Sequence, residues 1–379
     1  MGDGELLFLV LSLIYLSDCL VWIGRRTVLF ASPWCSYWRT LFANPYAGNA
    51  SGGLWLLNPL PPLGRAFFGH WYPLSMSPTG VCDLRLPVVG SLGRPCQSGH
   101  TLLYEQIRTV GHDGKYLLLN GRKFTKCESH DQSELLVETI KRVIPESIEK
   151  RGKIIQDFVN AQFLKIEASV RLEQVQRLVS KIRWTASAFF VFLYVMVPIL
   201  VNTYGLMRFV IPVAAIMFLA ASIIALQYSQ AFKTLFPLRN SDRISGIVKM
   251  VLCPPTAIRA GDLLTLEAMS RFHPVLIGTL LLGGEVTGFL RTVIRDLQYP
   301  LRQDHTDVQC LSIVSWFAAM ERQAISDFLR NELSTSYESL LTSPVWDGIS
   351  TAYCPRCSCQ FTVSAGECPD CPGVSLLRM

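Results

Sequence analysis

Charged side chains are scarce in this 379-residue chain, where they make up 17% of the residues, against about 25% in an average soluble domain. The 35 Lys and Arg residues are not gathered into a run, which excludes the basic stripe typical of nucleic-acid-binding proteins. Half of the residues are hydrophobic, which excludes a disordered polar chain. The shortage of charge indicates a membrane protein with no nucleic-acid partner.

The sequence also lacks the short motifs of common enzyme classes. It contains no HExxH metalloprotease helix, no GxGxxG dinucleotide loop, no Walker lysine loop and no GxSxG nucleophile elbow. Its six histidines are scattered, and His100, His112 and His130 fall in a strand-rich region where histidine needs no catalytic role. No catalytic or cofactor-binding residue is predicted, and whether the chain is an enzyme stays open, with a preference for a non-enzyme.

Three apolar segments are long enough to cross about 30 Å of hydrocarbon at roughly 1.5 Å per residue. The first, residues 6–24, lacks the basic start and small-residue cleavage site of a secretory signal, so we expect it to remain as an anchor. The second and third, residues 184–204 and 206–226, flank a short polar break and predict a transmembrane hairpin. The prediction is therefore three transmembrane helices.

Basic residues at the ends of these segments predict their orientation, because Lys and Arg concentrate on the cytoplasmic side of a membrane. Arg25 and Arg26 follow the first segment, Arg183 precedes the second and Lys233 follows the third, whereas neither Lys nor Arg precedes the first. We expect an integral protein of a plasma or inner membrane, with its N-terminus outside and its C-terminus in the cytoplasm. The lipid bilayer is its first expected partner.

The regions outside the apolar segments differ in composition. Residues 25–100 are rich in aromatic residues, Pro and Gly, which predicts irregular structure with short strands. Residues 101–145 predict a small α+β domain, residues 146–183 a long helix that enters the second segment, and residues 231–342 a helical region. All four regions are expected on the cytoplasmic side.

The predicted α+β domain contains three local signals. The Asn120-Gly121 pair lies between apolar runs and predicts a two-residue hairpin, since both central positions of a type I′ turn need a positive φ. Residues 111–114 predict a second turn. Ser129 or Asp131 is expected to cap the helix that completes the domain.

One apolar, glycine-rich stretch, residues 274–290, contains Glu285 and admits three interpretations. It is a fourth span, a re-entrant loop or a buried helix. A fourth span would carry the C-terminus outside and would put Arg291 and Arg295 on the wrong side of the membrane, so it is the least favoured. If the stretch lies in the bilayer, Glu285 becomes the best candidate for an intramembrane functional residue.

The strongest signal is a pair of CxxC motifs near the C-terminus, formed by Cys354, Cys357, Cys368 and Cys371 with ten residues between the motifs. Two residues between cysteines allow a tight turn to aim both thiolates at one ion, and two such turns supply the four sulfurs of a closed tetrahedral site. Both motifs begin with Cys-Pro. Cys359 is an extra thiol that could replace Cys357 as a ligand.

Residues 352–373, with these four cysteines, resemble the zinc-ribbon family. The resemblance covers only this terminal segment, and it implies a structural zinc ion on Cys354, Cys357, Cys368 and Cys371. Four thiolates leave no position for a reactive water, so the zinc is expected to be structural rather than catalytic.

The predicted fold is a mainly α membrane protein with three transmembrane helices, one N-terminal and two in a central hairpin, a small α+β cytoplasmic domain and a C-terminal zinc ribbon. We expect a non-enzymatic scaffold or interaction protein whose cytoplasmic modules hold protein partners at the inner leaflet. The alternative is a membrane enzyme or transporter component that uses polar residues near the bilayer, such as Glu285. Self-association into a homo-oligomer stays open.

Overall fold

In the computed structural model the chain divides into two compact units. The first unit comprises Met1–Cys35, Trp55–Gly69 and Ser169–Met269, and the second comprises Ser36–Leu54, His70–Ala168 and Ser270–Met379. The residues that the structure describes are 2–11, 13, 28–31, 65–68, 74–83, 100–127, 129–282, 287, 290–291, 294–295, 298–299, 308–369 and 371–379.

Helices predominate in the described chain. They are α1 (3–11), α2 (His130–Val143), α3 (Ile148–Ala161), α4 (Lys165–Val191), α5 (Val197–Tyr204), α6 (Leu206–Leu235), α7 (Asn240–Leu252), α8 (Ala260–Met269), α9 (Pro274–Leu282) and α10 (Val308–Leu333). Shorter helical turns lie at Tyr104–Gln106, Phe192–Met196, Pro254–Arg259 and Glu338–Leu341.

The described strands are short and form small antiparallel sheets. They are β1 (Val28–Ala31), β2 (Arg65–Phe68), β3 (Leu74–Met76), β4 (Gly80–Asp83), β5 (His100–Leu103), β6 (Val110–Asp113), β7 (Tyr116–Leu119), β8 (Arg122–Lys126), β9 (Ala352–Tyr353), β10 (Gln360–Phe361), β11 (Glu367–Cys368), β12 (Cys371–Ser375) and β13 (Leu377–Arg378). The strand orders are β1-β2, β3-β4-β5, β6-β7-β8, β10-β9-β13 and β11-β12.

The two longest helical segments cover the predicted transmembrane hairpin. α4 continues through a π-helical turn at Phe192–Met196 into α5. Pro198 accounts for the wider turn, because proline has no N–H to donate and its ring collides with the carbonyl four residues back in a regular helix. Gly205, with a φ of +85°, ends α5 and begins α6. The reversal between the two helices therefore occupies a single residue.

Two described helices, Lys165–Tyr204 and Ile211–Leu235, are long and apolar enough to cross a membrane. Large apolar side chains on both face outward, among them Ile199, Ile211 and Leu219. An outward apolar face is the arrangement that hydrocarbon accepts and water penalises. The two helices overlap the predicted segments 184–204 and 206–226 and match them in apolar composition.

The first predicted span, residues 6–24, lies mostly outside the described residues. Its described part, α1, packs tightly against α5 within the first unit. A Cβ atom placed on Gly4 would lie 2.6 Å from the Cβ atom of Asn202 and 2.6 Å from the carbonyl oxygen of Pro198. Only glycine allows the two backbones to approach this closely.

The second unit contains the strands and the helix that residues 101–145 form, together with elements from outside these bounds. Two three-stranded sheets, β3-β4-β5 and β6-β7-β8, share one core with α2, α3 and α10, and its fully buried members include Leu117, Leu136 and Ile140. The hairpin prediction at Asn120-Gly121 is confirmed, because these two residues have φ of 54° and 74° and join β7 to β8. The Asn120 side chain stabilises the turn, because its Oδ1 atom accepts a hydrogen bond from the Arg108 N–H at 2.7 Å.

Two further signals in this domain have different outcomes. The cap prediction is confirmed at Ser129, whose Oγ accepts from the Gln132 N–H at 2.9 Å at the start of α2. The turn predicted at residues 111–114 is wrong, because three of these residues belong to β6 and Asp113 pairs with Tyr116. The turn lies two residues later, between Asp113 and Tyr116, where Gly114 supplies the positive φ of 57° that a two-residue connection needs.

The long helix expected over residues 146–183 is interrupted. α3 ends at Ala161 and α4 begins at Lys165. The carbonyl oxygen of Gln162 accepts from the His273 N–H at 3.0 Å, and the Phe163 ring stacks on the His273 ring at 4.4 Å. These long-range contacts outweigh the local helical periodicity.

The ambiguous stretch 274–290 begins as a buried helix. In α9 the side chains of Val275, Leu276 and Ile277 are fully buried. Glu285 lies outside the described residues. The described part therefore favours the buried-helix interpretation for α9.

Candidate metal centre

The four predicted ligands lie at the ends of short strands, where turns can aim them at one point. Cys354 and Cys357 lie in the connection between β9 and β10, Cys368 ends β11 and Cys371 begins β12. Cys368 and Cys371 are partners in the β11-β12 ladder. Each CxxC motif therefore closes one tight turn, and the two turns belong to neighbouring small sheets.

Backbone hydrogen bonds shape the first CxxC turn. The Ser358 N–H donates to the Cys354 carbonyl at 2.8 Å, and the Cys354 N–H donates to the Cys359 carbonyl at 2.9 Å. The Cys357 N–H points at the Cys354 Sγ atom, 3.5 Å away. An N–H directed at a sulfur stabilises a thiolate there, because charge-assisted hydrogen bonds are the stronger ones.

The four cysteine Sγ atoms lie within 4.8 Å of one another, and all four residues are buried. The Sγ atoms of Cys357 and Cys368 are 3.8 Å apart. A tetrahedral site with Zn–S bonds of about 2.3 Å has sulfur-to-sulfur edges of about 3.8 Å, so this distance suits a zinc ion. Cys359 is not a member of the cluster. The chain therefore brings together four cysteines able to hold a metal ion such as zinc.

Electrostatics explain why such a cluster needs a cation. Burial, together with the neighbouring Cys354 and Cys368, raises the pKa of Cys371 to about 12. A hydrogen bond with Cys357 and burial also raise the pKa of Cys354. Thiolates packed together without a counter-charge repel one another and lose hydration. A bound divalent cation supplies the missing counter-charge, so it favours the thiolates and displaces the thiol protons. Acidification favours the return of these protons, and metal affinity is therefore expected to fall at low pH.

Among the residues that the structure describes, the hydrophobic core beneath the four cysteines is very small. Its other buried members are Ala352, Val374 and Leu376, and the partly buried side chains of Tyr299 and Phe361 pack against them. So few apolar groups supply little of the free energy needed to order the segment. A bound metal ion is the most direct source of the rest of the free energy that orders this segment.

A buried arginine from outside the CxxC motifs lies beside the cysteine cluster. Arg295 is 9% exposed, and its guanidinium donates to the Ser358 hydroxyl and, at 2.8 Å, to the Thr342 carbonyl. Burial and the nearby Arg291 lower the pKa of Arg295, while Cys354 and Cys357 act in the opposite direction. A zinc ion with four thiolates carries two net negative charges, so a fixed guanidinium at this place stabilises the loaded site.

We expect Arg295→Gln to weaken zinc affinity about tenfold, the lower end of what outer-shell partners of metal ligands contribute. Competition with a chromophoric chelator measures the affinity. Arg291→Gln removes the same charge from an exposed position and is expected to leave the affinity almost unchanged, because solvent screens it. Equal losses in both variants would show a general charge effect and contradict a specific role for Arg295.

A disulfide in the second unit has no counterpart in the sequence predictions. Cys82 on β4 is bonded to Cys310 on α10, with their Cα atoms 5.6 Å apart. Both cysteines are fully buried, and Ile313 packs against them. They are 228 residues apart in the chain, so no local spacing could have indicated the pair.

A buried His–Glu pair was also missed by sequence reasoning. His273 Nε2 lies 2.9 Å from the Glu321 carboxylate, and His273 Nδ1 accepts from the Val275 N–H at 3.2 Å. The Nδ1 contact assigns the ring proton to Nε2, which then donates to Glu321. Both ring nitrogens of His273 are therefore engaged in hydrogen bonds near the start of α9. These bonds indicate a structural role for this histidine.

The structure brings some of the residues predicted from the sequence together and does not describe others. Cys354, Cys357, Cys368 and Cys371 are brought together, whereas Glu285 lies outside the part of the chain that the structure describes. His112 and His130 meet edge to face with ring centroids 4.7 Å apart. Comparison with protein-family models, curated proteins and solved structures finds no match to the chain.

Proposed function

We propose that the protein is a non-enzymatic membrane scaffold whose C-terminal zinc ribbon holds protein partners on the cytoplasmic side. The observation that carries the proposal is the closed group of four buried cysteines. With four thiolates around the ion, no coordination position remains for a substrate or a reactive water. Such a site supports a fold and performs no reaction, so it favours an interaction role over catalysis.

The membrane part of the proposal is supported by the two long apolar helices of the first unit. The contact of α1 with Asn202 places the N-terminal segment next to the end of α5. In the predicted topology the start of the first span and the end of the second are on the same, outer side. This contact is therefore consistent with the predicted arrangement of the first two spans and does not depend on which side of the membrane faces the cytoplasm.

The partner part of the proposal is supported by exposed apolar side chains near the cysteine cluster. Val345 is 91% exposed and Ile349 76% exposed. Asp347 holds this loop in shape, because its carboxylate accepts from the Ile349 N–H at 2.9 Å and from the Ser350 hydroxyl at 2.7 Å. Hydrogen bonds from the Ser350 N–H, the Ser350 hydroxyl and the Ile349 N–H lower the pKa of Asp347. A fixed loop that displays apolar groups is typical of protein contact sites.

A biotin ligase fused to the C-terminus of the full chain tests two parts of the proposal, the side of the membrane on which the C-terminus lies and the protein partners near it. We expect it to label cytoplasmic proteins, and we expect Cys368→Ser, which breaks the ribbon, to lose a subset of them. Cys359→Ser removes a cysteine outside the cluster and serves as the matched control. Labelling confined to proteins of the outer side, or an unchanged set of partners in Cys368→Ser, would contradict the proposal.

One observation opposes the cytoplasmic placement. Disulfides such as Cys82–Cys310 persist in oxidising compartments and are rare in the cytosol. The basic residues that flank the predicted spans favour the cytoplasm for the same unit. The oxidation state of this pair in cells therefore decides between the two orientations, and its test is given in the Discussion.

A further inference from the structure

Helix α7 presents an apolar stripe to its surroundings. Ile244, Val248 and Leu252 recur every four residues, so they share one face. They are 55%, 47% and 78% exposed. The opposite face is buried, with Met250 2% exposed. A 13-residue helix that displays three branched apolar side chains has a face that suits a medium less polar than water.

The opposite face of α7 packs closely on α6. A Cβ atom placed on Gly246 would lie 2.8 Å from the Tyr228 ring, so only glycine allows this approach. The preceding residue of α6, Gln227, donates to the Thr185 hydroxyl at 3.1 Å. Thr185 lies at the start of the predicted second span. The contact with Tyr228 therefore places the middle of α7 at the cytoplasmic boundary of the proposed membrane segment.

The chain then reverses. After Leu252 comes the short helical turn Pro254–Arg259, and α8 returns so that Glu267 meets Arg239, just before α7. A Cβ atom placed on Gly261, early in α8, would lie 2.8 Å from Val179 of α4. α7 and α8 thus form a hairpin whose turn follows Leu252. Leu252, the most exposed of the three stripe residues, lies at the hairpin tip.

Basic residues accompany the stripe. Lys249 is exposed beside Val248 and Leu252, and Lys233 is exposed near the end of α6. Arg239 is held by Asp242 and Glu267, so it fixes the hairpin instead of facing outward. Exposed lysines next to apolar side chains at a membrane boundary suit anionic headgroups.

We propose that α7 is an interfacial helix whose stripe, Ile244, Val248 and Leu252, enters the headgroup–acyl boundary of the leaflet at which α6 ends, with Lys249 at its anionic headgroups. This inference rests on the proposed membrane span of α6. The occupant is lipid because the stripe lies on a helix that packs against the end of the proposed span α6 and is accompanied by exposed lysines. The hairpin would then fix the depth and rotation of the cytoplasmic end of α6.

A photo-crosslinking amino acid placed singly at three positions tests the inference in the full chain. The chain is reconstituted in vesicles of phosphatidylcholine with and without phosphatidylglycerol, each lipid radiolabelled in turn. Position 248 tests whether the stripe of α7 contacts lipid. Position 219, which is exposed on α6, tests whether the proposed span contacts lipid. Position 148, an exposed isoleucine at the start of α3, is the matched control. We expect lipid label at 219 and 248 and none at 148.

The outcomes separate the two levels of the proposal. Label at 219 without label at 248 would overturn the interfacial helix and leave the span intact. Absence of label at both positions would overturn both. A crosslink from position 248 to a second copy of the chain would identify the stripe as a self-association surface and overturn the lipid assignment. Stronger label from phosphatidylglycerol than from phosphatidylcholine at 248 is the expected signature of Lys249.

Discussion

Cys368→Ser is expected to release the bound zinc and to unfold the C-terminal ribbon while the remaining helices and sheets stay folded. Structural zinc supplies about 10–16 kcal/mol of apparent binding free energy in small zinc-dependent folds. The loss of one thiolate removes much of this contribution. The core around Ala352, Val374 and Leu376 is too small to replace it. Elemental analysis of the purified chain and limited proteolysis of the tail measure the two effects.

Cys359→Ser is the matched control for this experiment, because Cys359 lies two residues after the first CxxC motif and outside the group of four clustered cysteines. It is expected to retain zinc and to resist proteolysis like the unaltered chain. Unchanged zinc content in Cys368→Ser would contradict the ligand set. Loss of zinc in Cys359→Ser would show that this thiol replaces Cys357.

Cys310→Ser is expected to lower the unfolding free energy of the oxidised second unit by about 4 kcal/mol, within the range found when long loops are opened. The pair closes a separation of 228 residues, and the unlinked chain gains the corresponding freedom when it unfolds. Denaturant unfolding in detergent micelles measures the change. Cys253→Ser alters an exposed cysteine that is not part of a disulfide and is expected to leave the unfolding free energy almost unchanged. Reduction of the unaltered chain should reproduce the Cys310→Ser midpoint.

The same pair reports the orientation of the protein in cells. Rapid alkylation before lysis, followed by mass spectrometry, shows whether Cys82 and Cys310 are free or bonded. In the proposed topology the unit faces the reducing cytoplasm, and both thiols are expected to be alkylated. A fully bonded pair in intact cells would overturn the cytoplasmic placement and put the ribbon on the outer side.

Features with a local cause were predictable from the sequence. The Asn120-Gly121 turn requires two positive φ angles, and the side chains that tolerate them are few. The cap at Ser129 and the two CxxC turns likewise depend on residues three or four positions apart. In each case the physical cause lies within one turn of chain, so the sequence window contains all of it.

Features with a distant cause were not predictable. The break between α3 and α4 depends on a hydrogen bond from His273 to Gln162, more than a hundred residues earlier. Arg295 was predicted only as a charge beside a candidate span, yet it bonds to Ser358 in the cysteine-rich tail. The disulfide partner of Cys82 lies still further away. Hydrophobic periodicity and residue spacing give no information about contacts between residues so far apart in the chain.

The π-helical turn at Phe192–Met196 changes the angular phase of everything that follows it. Such a turn accommodates one residue more than a regular turn, and each residue of an α-helix advances by about 100°. Asn202 lies after this phase shift and meets Gly4 of α1. A helix with one residue fewer would rotate Asn202 by about 100°, away from α1. The angular position of the N-terminal helix is thus encoded by a single additional residue elsewhere in the chain.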